Sequence, residues 1–131
     1  MANISTYLAD KLLDHSLGKT SYTMPTVYVG LYTTNPTMPA GSGGVEVSGG
    51  GYARQTLSPN TAAASSGSAS SSGAVTFAQA SANWGTVTGI GLFDAASAGN
   101  LLAAGPLTTN EVVNSGDTFS FPIGDITLTL S

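Results

Sequence analysis

The chain has 131 residues, enough for a single domain with one core. Only 8% of them are charged, against roughly 25% in an average domain, and three cations against seven carboxylates leave a net charge of −4. So few cations exclude a phosphate-backbone ligand, and the absence of cysteine excludes disulfides and thiolate metal sites.

Such poverty of charge points to a chain that covers much of its outside in an assembly. Asp10, Lys11, Asp14 and Lys19 interrupt the apolar positions near the start of the chain. That segment therefore reads neither as a secretory signal nor as a membrane span, and no later apolar run approaches ~18 residues. Neither nucleic acid nor membrane is an expected partner.

Residues 1–18 read as one amphipathic helix. Ile4, Tyr7, Leu8, Leu12, Leu13 and Leu17 recur at threes and fours, with Asp10, Lys11 and Asp14 opposite. Asn3 or Ser5 can cap the first turn, and Gly18 suits a left-handed stop. The apolar stripe covers either a sheet of the same domain or a neighbour.

Residues 24–131 read as a β-sandwich of the same single domain. From Thr26 to Thr33, Val27, Val29 and Leu31 alternate with Tyr28, Gly30 and Tyr32, whose aromatic face is a candidate contact surface. Turn-formers fill 35–44, Val45–Val47 adds a short strand, and Gly49–Gly51 break it, so 35–51 is expected as a flexible loop. Tyr52–Leu57 is a further strand. The Ser/Ala/Gly/Thr run across 58–73 can bury too little to order itself and is expected as a second flexible surface loop. Ala74–Phe77 is short and leads to Trp84.

Asn83–Ala104 forms the expected central hairpin. Val87, Gly89, Gly91 and Phe93 share one face, Thr88, Ile90 and Leu92 the other, and Leu101–Ala104 returns after the small-residue loop 94–100. Gly105–Pro106 turns the chain, Thr109–Val113 pairs with Asp117–Phe121 across Asn114–Gly116, and Asp125–Leu130 closes the sequence. The expected fold is mainly β: an antiparallel β-sandwich or jelly-roll-like small barrel of about eight strands with one N-terminal amphipathic helix.

The residues assemble no reaction centre. His15, the only histidine, sits at the end of the helix, where the helix dipole favours it. Asp94, Glu111, Asp117 and Asp125 are scattered at turns, the ordinary place for Asp, and no calcium loop or phosphate loop is spelled out. No catalytic residue, cofactor or metal is expected. Trp84, the only tryptophan, and Phe93 are expected as core anchors; a sugar-stacking platform of Trp84, Tyr28, Tyr32 and Tyr52 is the alternative. Arg54, the only arginine, is expected to pair with Glu46 or Asp94, or else to contact a partner subunit.

Several blocks together resemble a family of small tailed-bacteriophage virion proteins usually labelled phage tail fibre protein. They are Leu12–His15 before Gly18, Pro25–Tyr32, Glu46–Gln55, Trp84–Val87, Phe93–Asp94, Gly99–Leu102 and Gly116–Asp117, and they span nearly the whole chain. Thr56-Leu57-Ser58 departs from the pattern. The resemblance implies a structural virion component, made in the host cytoplasm and carried on the particle, with no catalytic residues. A chain this short, without long coiled coils or repeats, is no fibre shaft. The favoured expectation is a capsid decoration (cement) protein bound to the major capsid protein as a dimer or trimer, with a tail, tail-fibre or baseplate adaptor as the alternative and a carbohydrate-binding receptor module as a third reading. Candidate interface residues are Ile4, Tyr7, Tyr28, Tyr32, Tyr52 and Arg54.

Overall fold

The computed structural model describes residues 3–23, 25–57 and 64–129. It opens on a two-residue strand, β1 (Asn3–Ile4), followed by helix α1 (Thr6–Ser16). Of the two candidate caps, Ser5 holds the place: its Oγ accepts from the Leu8 N–H at 3.2 Å and donates to the Leu101 carbonyl at 2.7 Å. At the far end the Gly18 N–H donates to the His15 carbonyl and the Lys19 N–H to the Asp14 carbonyl, a Schellman closure that uses Gly18 at φ +79°. The helix thus starts later than residue 3. Asn3 and Ile4 pair with Ala104 and Ala103, and the Ser5 N–H donates to the Leu102 carbonyl, because a strand edge offers these backbone groups partners before the first helical turn does.

The remaining strands are β2 (Tyr28–Thr34), β3 (Val45–Glu46), β4 (Gln55–Thr56), β5 (Ser68–Ser70), β6 (Val75–Thr76), β7 (Gly85–Phe93), β8 (Leu101–Val113), β9 (Ser120–Phe121) and β10 (Thr127–Thr129). The main sheet runs β1-β8-β7-β2-β3, with β4 also on β2; β10 pairs β5, and β6 pairs β9. Every described strand pairing is antiparallel. The expected mainly β, antiparallel sandwich with an N-terminal helix is therefore present, without a closed barrel. As expected, β7 and β8 form a hairpin, with β7 central between β8 and β2.

One face of the main sheet is the core. Val29, Leu31, Ile90 and Leu92 meet Phe77, Trp84, Phe119, Phe121 and Ile126 of the second layer, and Leu8 closes the cluster from the helix. Phe77 stands at its centre, stacked on Tyr52 and edge-on to Trp84, Phe119 and Phe121. The opposite face is covered as well. There Gly30 pairs directly with Gly91, and the absent side chains let the rings of Tyr32 and Phe93 lie across the sheet, 6.1 Å apart. Loop 35–44 folds over this face: a Cβ on Gly44 would come within 2.8 Å of the Tyr32 ring, and the Thr6 N–H donates to the Pro39 carbonyl.

Beyond the helix start, the structure departs from the sequence reading at four places. Val87 does not share a face with Phe93. A register shift between Val87 and Gly89 returns Val87 to the core beside Ile90 and Leu92. Gly105–Pro106 does not turn the chain; β8 runs through it, with Pro106 opposite Gly89 and Glu111 opposite Val87, so residues 107–110 bulge out of the ladder. Of segment 109–113, residues 111–113 pair with β7, and none pairs with 117–121, whose Ser120 and Phe121 pair with Thr76 and Val75 instead. Within 58–73, residues 58–63 lie outside the described residues, while Ser68–Ser70 form β5. That segment is held by hydrogen bonds rather than apolar burial: buried Ser71 takes the Gly124 and Ile126 N–H groups on its Oγ and donates its own N–H to the Ile126 carbonyl.

Candidate functional site

β3 and β4 both pair with the same edge of β2, at opposite ends of it, and the intervening residues bulge away through Gly49, Gly50 and Gly51, all at positive φ. The bulge leaves the Leu31 N–H on β2 without a strand partner. Tyr52 supplies one. Its hydroxyl accepts from Leu31 N–H at 2.9 Å and donates to Glu46 Oε2 at 2.6 Å.

Arg54 completes the cluster. Its Nε and Nη2 donate to Glu46 Oε2 and Oε1, both at 2.8 Å, the bidentate fork that a lysine cannot make. Nη1 donates to the carbonyls of Ala95 and Ala98 at 2.9 and 2.8 Å, and the guanidinium lies over the Phe93 ring, 3.5 Å from its centroid. Only 7% of the Arg54 side chain is exposed. Asp94 takes no part in the pair. It clasps the neck of loop 94–100 by accepting from the Asn100 N–H and Nδ2 at 2.7 and 3.0 Å. Burial alone would raise the Glu46 carboxyl, but the bonds from Arg54 and Tyr52 outweigh it and hold it below the usual carboxylate value. Tyr52 is pushed well above an ordinary phenol, first by burial and then by its bond to Glu46.

The other candidate residues fall differently. Tyr32 is buried under loop 35–44, so it offers no surface. Ile4, Tyr7 and Tyr28 are half-buried, with Lys11 Nζ set 5.6 Å from the Tyr7 ring centre. Trp84 and Phe93, expected as core anchors, are each 6% exposed. The Trp84 indole N–H donates to the Gly50 carbonyl at 2.9 Å, tying the glycine bulge to the core. With Trp84 and Tyr32 turned inward, the stacking platform loses two of its four rings. His15 accepts the Tyr22 N–H on Nδ1 and serves the segment after the helix.

Two surface features lie outside the candidate interface residues. Helix α1 packs on β8 and buries Leu8, but Leu13 and Leu17, one turn apart at its far end, are 55% and 80% exposed. The apolar stripe is longer than the surface beneath it, and only the length of β8's contact could have revealed this. The second is a cleft of about 370 Å³ between the β8 bulge and residues 118–125. Among the described residues, no three His, Asp or Glu side chains gather as a metal site, and no helix is long and apolar enough to cross a membrane.

A sequence model of the family described as Podophage GP4 fiber I protein gp80 matches residues 3–129. No curated protein matches.

Proposed function

Because the chain belongs to the Podophage GP4 fiber I protein gp80 family, a family of fibre-type bacteriophage virion proteins, we propose that it is a compact structural module of the fibre apparatus, seated on a neighbouring fibre or tail protein through the far end of α1. The observation that carries this reading is the exposed pair Leu13 and Leu17 on a helix that buries Leu8 and half-buries Tyr7 and Leu12. That the family is one of fibre proteins supports the choice of neighbour. The accessible surface of 6894 Å² is within about a tenth of the ~6300 Å² expected for a compact chain of this mass, so the fold adds a globule to a fibre and not a length of shaft.

A second reading, decoration of the head, is favoured by the same compactness together with the low charge. Binding across seams between major capsid subunits would then oppose rupture of the shell. Leu13→Asp/Leu17→Asp tests the first reading. The variant chain is expected to fold as the parent does and to be lost from purified particles. Retention at full occupancy would overturn the role of the helix. Copy number separates the locations: an amount comparable with the major capsid protein would reject the fibre, and a few copies at the tail would reject decoration.

A further inference from the structure

Segments 109–113 and 117–121 leave a shared turn without pairing, and the cleft is the slot that opens between them. Four consecutive residues, Thr118 to Phe121, line one of its walls. Side chains alternate along an extended segment, so four in a row on one wall mean that the backbone edge itself faces the cleft. The hydrogen bonds agree. The Ala80 and Phe77 N–H groups donate to the carbonyls of Asp117 and Phe119, and Phe121 pairs with Val75. That alternation turns the N–H and C=O groups of Thr118 and Ser120 away from β6. Thr118 makes no backbone hydrogen bond to any other described residue. The cleft is thus bounded by a strand edge with open main-chain groups.

An open strand edge recruits another strand: main-chain bonds give the affinity and alternate side chains choose the partner. Here the choice is made by charge. Glu111 and Asp125 line the cleft, both are exposed, and neither is in an ion pair among the described residues. No lysine, arginine or histidine lines it, so the added strand must bring a cation. A second copy of this chain cannot bring one. Its three cations are Lys11 on α1, Lys19 in the closure of that helix, and Arg54, which is locked to Glu46 with 7% of its side chain exposed. We infer that the cleft takes up an extended segment of a neighbouring protein as an added strand on β9, with a lysine or arginine of that segment against Glu111 and Asp125. This contact is separate from Leu13 and Leu17, and it holds whether the particle carries the chain on its fibre or on its head.

The test is selection from a random library of acetylated, amidated hexapeptides on the full chain, with the selected peptides then titrated by amide NMR. They are expected to carry a lysine or arginine and to shift the amides of 118–121. Affinity should fall at least tenfold in Glu111→Gln/Asp125→Asn, and equally when alternate peptide nitrogens are methylated. Ser120→Pro deletes one outward N–H where proline is tolerated and should match that loss; should it fail to fold, the methylated peptides ask the same question. Leu13→Asp/Leu17→Asp should leave peptide binding unchanged, so the helix contact and this one fail separately. Absence of any peptide binding at millimolar concentration overturns the inference, as do selection of acidic or uncharged peptides and binding indifferent to methylation. Amides of 118–121 that shift with protein concentration alone overturn it in favour of a second copy.

Discussion

The Arg54 cluster and the 107–125 cleft hold similar chemistry and have opposite meanings. Around Arg54, the guanidinium, the Glu46 carboxylate and the Tyr52 hydroxyl use their bonding capacity on one another, on the Ala95 and Ala98 carbonyls and on Leu31. In the cleft, two carboxylates and four hydroxyls stand without internal partners among the described residues. A polar group satisfied within the chain is architecture, because breaking it leaves a buried neighbour unpaired. A polar group left open at the surface is bonded to water, and changing it leaves no buried neighbour unpaired. The comparison predicts that substitutions at the first site change stability, and that substitutions at the second leave it nearly unchanged.

Arg54→Ala is the largest break. It strands Glu46, which is 26% exposed, beside buried rings, and frees loop 94–100 from its two carbonyl anchors. Removing one partner of such a pair costs about 3 kcal/mol, a fall in Tm of roughly 12 °C at ~4 °C per kcal/mol for a chain of this size. Arg54→Lys should recover less than half, since it lacks the fork. Arg54→Met/Glu46→Leu should lose less than Arg54→Ala because neither charge is left alone. Thermal unfolding measures all three, and a loss below ~1 kcal/mol in Arg54→Ala would move this cluster into the same class as the cleft. Gly30→Ala comes next. Its Cβ would stand 2.8 Å from Glu46 Oε2 and from the Phe93 ring, so a loss of about 2 kcal/mol is expected without any group being removed.

The pair of Arg54 with Glu46 was legible because a single arginine on a strand otherwise free of charge needs a carboxylate, and the sequence holds few. The helix and the strands β2 and β7 were legible from the spacing of Leu8 and Leu12 and of Val29 and Leu31. The cleft was not. It assembles from 107–111 and 118–125, where the sequence reads 109–113 and 117–121 as one hairpin, and Gly105-Pro106 has the chemistry of a turn. In the sheet, Pro106 simply occupies a position where no N–H is required, and the strand continues. Strand β5 was hidden for a different reason: Ser68, Ala69 and Ser70 carry no apolar alternation, and their order comes from pairing with β10 and from the bonds of Ser71.

Tyr52→Phe separates the two kinds of polar group more finely. It keeps the ring against Phe77 and Trp84 but leaves the Leu31 N–H unpaired and removes one bond to Glu46, for an expected loss of about 1 kcal/mol. Acid titration extends the test. The folded Glu46 carboxyl lies below its ordinary value of 4.5, so its contribution is fully present above that pH and is lost as the pH falls through the folded value. The folded Tyr52 lies above its ordinary 10.0, so its contribution is present below pH 10 and is lost as the pH rises beyond it. In Tyr52→Phe both the alkaline and the acid loss should shrink, the raised Tyr22 and Tyr32 keeping part of the alkaline limb. An acid limb unchanged in Glu46→Gln would show that Glu46 does not carry it.

The smallest effect is the most discriminating. Glu111→Gln and Thr118→Val alter exposed side chains without partners among the described residues, and surface changes of this kind stay within about 0.5 kcal/mol. Unfolding curves that overlay the parent's would hold the division between the two regions. A loss near that of Tyr52→Phe would mean that the bulge is held by these groups, and that the cleft belongs, like the Arg54 cluster, to the architecture.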